Sequence, residues 1–217
     1  MIRLIDTLTL QEAVNAVEKY NRGYYGRKLN ICLDNEGYQL FNNSLGRDLD
    51  TIEKQVHFIG KDYGGVAGFK SAINLYRTIA RQIFNDRDYF IKNAGKAAQL
   101  KETPVKIEVL KRLYKPFIQP FKDRKNWHVW ATKFLHFTNP NAFPIQDSRV
   151  NTCFKLSSQA ISPEKYNELI VEVRQFLHQH QSWLPVLREA DKDYSWSDLK
   201  LLDKVFYSIG EDKECTP

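Results

Sequence analysis

The sequence predicts a mostly α protein with room for one small β-hairpin near its N-terminus. Three observations predict it. Apolar residues recur at i, i+3, i+4 and i+7 along much of the chain, the repeat of a helix that buries one face. Helix-opening signals stand at the head of several of those stretches: Thr9 with Glu12, Ser162 with Pro163, and Ser195 with Asp198. Alternation flanking turn chemistry occurs once, between Tyr24 and Asn43.

From the N-terminus, Thr9 and Glu12 form a capping box for a helix over Leu10–Asn21, with Ala13, Val14, Val17 and Tyr20 as its apolar stripe and Arg22-Gly23 as its end. Leu29–Leu33 alternates, Asp34-Asn35-Glu36-Gly37 is turn chemistry, and Tyr38–Phe41 follows, a short hairpin. Helices are expected over Leu49–Ile59, Phe69–Phe84, Tyr89–Leu100 and Val105–Ile118, the last with Ile107, Leu110, Leu113, Tyr114 and Phe117 inward. Gly-rich Asp62–Gly68 lacks the phosphate-loop pattern and reads as a connection. Ser162-Pro163 opens a helix to Gln179, and Ser195 and Asp198 open the last, which buries Leu199, Leu202, Phe206 and Ile209 and stops at Gly210.

Length and composition bound the rest. With 217 residues, 42% of them hydrophobic, the chain suits a single domain over 1–217, or two packed lobes near 1–104 and 105–217. Lys and Arg outnumber Asp and Glu by 32 to 26, a modest bias that suits a polyanionic partner. Cys32, Cys153 and Cys215 are too dispersed for a disulfide framework or an iron–sulfur cluster. His178 and His180 are two apart on a helix and diverge, so neither a metal nor a cofactor is expected. Asp6, Glu12 and Glu18 interrupt the first 20 residues and no apolar run reaches membrane-spanning length, so a cytoplasmic protein without membrane contact is expected; a monomer is the accompanying expectation.

The chain's most informative stretch is Trp127–Leu156. Trp127, Trp130, Ala131, Phe134 and Leu135 share one helical face, and Val129, Thr132, Lys133 and His136 lie on the other. Asn139-Pro140-Asn141 stops that helix, and Phe143-Pro144-Ile145-Gln146 leads to Asp147 at the N-cap or first turn of another helix. There the carboxylate meets unpaired backbone amides and the positive end of the helix dipole. Just upstream, Lys122, Arg124 and Lys125 gather beside Trp127, a mixture that suits phosphates and unstacked bases and equally suits a solvated loop.

The segment from Ala131 to Val150, with its FPIQDSRV, resembles the helix-hairpin-helix DNA glycosylase superfamily, and within it a group of bacterial proteins with an 8-oxoguanine-glycosylase-like fold. The resemblance implies a helix-hairpin-helix bundle. It also implies an enzyme that flips a damaged or modified base out of DNA and hydrolyses its N-glycosidic bond with Asp147. On that reading Lys122, Arg124, Lys125 and Arg149 contact DNA, and Trp127 and His136 border the base pocket. An oxidised purine and a hypermodified phage base both fit, the latter pointing to antiphage defence. The chain departs from the family in two places. Phe121–Asn126 replaces the Gly-rich hairpin, and Val129 stands where bifunctional members carry a lysine, which favours a monofunctional hydrolase. Lys133, one turn beyond Val129, can still reach that space and leaves lyase activity open. A non-catalytic DNA-binding module that keeps the fold is the alternative.

Overall fold

The computed structural model describes residues 3–42, 44–63, 73–95, 105–120, 127–156, 162–192 and 194–214. A short 3₁₀ turn, Leu4–Thr7, precedes helix α1 (Leu10–Arg22), whose Thr9 and Glu12 form the expected reciprocal capping box. Strands β1 (Tyr24–Tyr25) and β2 (Lys28–Leu29) pair antiparallel around Gly26, which adopts φ +62. Then follow α2 (Asn30–Phe41), α3 (Leu49–His57) running into a π turn over Phe58–Asp62, α4 (Ile73–Asn85) and α5 (Arg87–Ala94). The second half comprises α6 (Ile107–Ile118), α7 (Trp127–Thr138), α8 (Ser148–Phe154), α9 (Pro163–Gln179), α10 (Leu184–Asp191) and α11 (Asp198–Glu214). The mostly α expectation is met.

The β-hairpin exists but lies one segment earlier than predicted. Asn30–Phe41, expected to hold its turn and second strand, is α2, with Leu33, Asp34, Gly37, Tyr38 and Phe41 buried at helical spacing. The apparent turn Asp34–Gly37 is helical because Asp34 and Gly37 face inward. Asp34 is buried against Lys200, and a Cβ on Gly37 would overlap the Phe137 ring. The last helix likewise continues past Gly210 to Glu214. Gly210 serves a close crossing, since a Cβ there would overlap the Arg149 carbonyl of α8. The Gly-rich connection expected over Asp62–Gly68 lies outside the described residues beyond Tyr63.

Helix α7 is the centre of the packing. Its predicted apolar face is buried at Trp130, Ala131, Phe134 and Leu135, but Thr132 and His136, on the face predicted to be polar, are fully buried too. Neighbours cover it on several sides: α6 through Phe117, α2 through Phe41, and the end of the π turn through Tyr63. One contiguous apolar cluster runs from Ile5 through α7 to Phe206. Helix α11 packs against both α8 and α1, which brings three distant parts of the sequence around one recess. Among the described residues, no helix is long and apolar enough to cross a membrane.

Candidate active site

The buried polar residues of α7 hold the loop that presents Asp147. The Thr132 hydroxyl accepts the Gln146 N–H at 3.2 Å. One turn on, the His136 Nδ1–H donates to the Phe143 carbonyl at 2.7 Å, while Nε2 accepts from the Tyr38 hydroxyl at 2.7 Å. This pairing requires the neutral ring protonated at Nδ1. Burial, reinforced by the charge of Lys200, lowers the His136 pKa to about 3 and keeps it neutral. Tyr166 closes the loop from the other side by donating to the Pro144 carbonyl at 2.7 Å. A loop fixed at residues 143, 144 and 146 leaves the next residue little freedom.

That residue, Asp147, is the N-cap of α8, as the sequence predicts: its Oδ1 accepts the Val150 N–H at 3.0 Å from an extended backbone. The rest of the half-buried carboxylate lies on a small cleft lined by Tyr20, Tyr25, Leu33, Tyr63, Ile145 and Tyr207, together with Asn30, Lys133 and Asp203. Lys133 therefore shares a cleft with Asp147. Its ammonium donates to the Tyr63 carbonyl at 3.0 Å and lies 5.2 Å from the Tyr63 ring centre. Burial lowers its pKa, and the nearby carboxylates of Asp147 and Asp203 pull it partly back.

Behind the cleft lies a buried ionic cluster that the sequence pattern does not announce. Lys200 Nζ, fully buried, is 2.9 Å from Asp34 Oδ1 and 2.8 Å from Asp203 Oδ2. It also donates to the hydroxyls of Tyr20 and Tyr63, each at 3.0 Å, and Tyr63 in turn donates to Asp34. Burial disfavours its charge, but Asp203 and Asp34 outweigh this and hold the Lys200 pKa well above its ordinary value. The Asp203 pKa moves up to about 6, pushed by burial and by Asp147 and opposed by Lys200. One turn on, Lys204 pairs with buried Asp191 at 2.5 Å and donates to Asn21 at 3.0 Å. A signal existed: Lys200, Asp203, Lys204 and Tyr207 form an i, i+3, i+4, i+7 stripe on α11. Such a charged stripe ordinarily marks a solvated face, and only the packing of α1, α2 and the π turn over it reveals the cluster.

The other predicted site residues are distributed as follows. Arg149 ion-pairs with Glu211 at 2.8 Å and its guanidinium lies 4.0 Å from the Tyr207 ring centre, at the border of the cleft. His136 is wholly within the core and clamps the loop rather than lining the cleft. Trp127 begins α7, but its side chain lies outside the described residues, as do Lys122, Arg124 and Lys125. Among the described residues, no three His, Cys, Asp or Glu side chains gather as metal ligands. Cys32 and Cys153 are free thiols.

The arrangement offers an exposed carboxylate edge, a buried amine and four tyrosine rings around one recess. Flat aromatic ligands suit such walls, because rings stack on or pack edge-to-face against tyrosines. Compared with models of protein families, with curated proteins and with solved structures, the chain matches none.

Proposed function

We propose that the protein is a DNA glycosylase, in which Asp147 acts on a base turned out of the helix into the tyrosine-lined cleft. The observation that carries this reading is the convergence of Asp147 and Lys133 on one aromatic recess, by way of a loop clamped from three sides. Breaking an N-glycosidic bond builds positive charge on the sugar, and a carboxylate beside that carbon stabilises the charge and orients water. A rigid mount matters, since the carboxylate must meet the transition state without reorganising. The aromatic walls suit the face of an unstacked base.

Water is the nucleophile in this reading and the product is an abasic site left uncut. Lys133 lies close enough to bind the substrate's phosphate or sugar oxygens, and burial lowers its pKa while Asp147 and Asp203 favour its charge. The DNA backbone is held by Lys122, Arg124 and Lys125 just before α7 and by Arg149 at the cleft border.

The test is base excision from oligonucleotides carrying a panel of oxidised and hypermodified bases, with wild type and Asp147→Asn. Asparagine is also a good N-cap, so the variant keeps the α8 start while losing the charge. Base release by wild type and its loss in the folded variant are expected. Undiminished release by Asp147→Asn removes the assignment, and DNA binding by wild type without excision of any base leaves a non-catalytic binding module.

A further inference from the structure

Asp203 presents an unusual boundary condition. Its side chain is 5% exposed and lines the same cleft as Asp147, with Oδ2 bound to Lys200 at 2.8 Å and Oδ1 buried without a hydrogen-bond partner. A buried carboxylate oxygen left unpaired costs free energy, and a donor arriving in the cleft recovers it. Asp34 also keeps one oxygen unpaired, but Asp34 does not line the cleft. Three of the nearby donors are already committed: Lys200 spans Asp34, Asp203, Tyr20 and Tyr63, Tyr63 donates to Asp34, and Lys133 donates to the Tyr63 carbonyl.

We propose that the free Asp203 oxygen is the acceptor by which the cleft reads its ligand, taking an N–H from the exocyclic amino group of the extruded base. This rests on the glycosylase reading and names the class of base it takes. A carboxylate accepts and does not donate, so bases carrying an amino group at the inward edge are favoured, and bases with a carbonyl there are repelled. An exocyclic amino group projects beyond the ring and reaches the wall of a narrow cleft first. A base without that amino group leaves the buried carboxylate oxygen unpaired and binds more weakly.

The groups facing Asp203 set its behaviour with pH. They are Lys200 and Tyr207 on its own helix, Tyr20 from α1, Asp34 from α2, Tyr63 just after the π turn, Lys133 from α7 and Asp147 before α8. Lys200 occupies Oδ2, so a proton added near pH 6 goes to Oδ1 and abolishes the acceptor. A structural ion-pair role alone would not couple ligand choice to pH in this way.

Binding of four free bases, followed by tyrosine fluorescence or NMR shifts, tests the proposal. Adenine with purine and guanine with hypoxanthine are pairs that differ only in an amino group. The amino-bearing member of at least one pair is expected to bind about tenfold tighter to wild type at pH 7.5. That preference should shrink about tenfold at pH 5 and vanish in Asp203→Asn. Equal affinities within both pairs, a preference unchanged by pH, or no binding of any base overturns it. If Asp203→Asn fails to fold, the wild-type pH comparison still decides. An amino preference that follows pH, without excision from any oligonucleotide, keeps the Asp203 acceptor and removes the glycosylase reading alone.

Discussion

Asp203→Asn should change how stability depends on pH, and the change has a definite sign. In the folded protein the Asp203 pKa is raised from 3.8 to about 6. Between those values the folded state holds more protons than the unfolded chain, so this group makes the protein less stable as pH rises. A tenfold change in proton affinity is worth about 1.4 kcal/mol, so the whole effect is about 3 kcal/mol, present below the unfolded pKa and lost by about pH 6. His136 works in the opposite direction. Its pKa is lowered from 6.5 to about 3, so its neutral, hydrogen-bonded form stabilises the fold above pH 6.5 and that contribution falls as acid is added. From pH 6 to 4 the two slopes oppose each other in wild type. Removing the Asp203 titration leaves the His136 slope uncompensated. Urea unfolding at several pH values, followed by tryptophan fluorescence, should therefore give a stability for Asp203→Asn that falls about 1 kcal/mol per pH unit more steeply than wild type on going from pH 6 to 4. Other carboxylates cancel in this difference. Parallel slopes would refute the burial argument for Asp203, whatever the offset between the two curves.

Borohydride trapping on substrate DNA should yield base release without a covalent adduct; an adduct that disappears in Lys133→Gln would instead make Lys133 the nucleophile and the enzyme bifunctional. Replacing Lys122, Arg124 and Lys125 together with alanine should weaken DNA binding across sequences and lower the salt slope by up to about 0.9 per lost phosphate contact, while an unchanged slope returns these residues to a solvated loop. Gly210→Ala should destabilise the protein by about 1–3 kcal/mol in denaturant titration despite alanine's better helix propensity, because the added Cβ overlaps the Arg149 carbonyl. It should also reduce excision, since Arg149 lies two residues beyond Asp147; a neutral or stabilising result would mean that α8 and α11 separate freely.

Local chemistry determined much of the chain without reference to its fold. The capping box at Thr9 and Glu12, the Ser162-Pro163 start of α9 and the N-cap position of Asp147 depend on residues within one turn of each other, and all are found where the sequence predicts them. The inward faces of α1, α6 and α9 follow in the same way from apolar spacing. The sequence by itself also singled out Asp147 and Lys133, which do share a cleft.

What tertiary structure alone decided is where polar residues become core. Asp34-Asn35-Glu36-Gly37 carries every local mark of a turn, yet it is helical because Asp34 meets a lysine from the last helix and Gly37 admits the Phe137 ring. Thr132 and His136 read as an outer face, but α7 is enclosed and their hydrogen bonds hold the loop before Asp147. Gly210 reads as a helix stop and is instead the crossing point of α8 and α11. Lys200 and Asp203 have the pattern of a solvated stripe; they are buried because α1, α2 and the π turn supply Tyr20, Asp34 and Tyr63 from far along the chain. Charge burial depends on partners that no local window contains, so the rear wall of the cleft could be read only from the folded molecule.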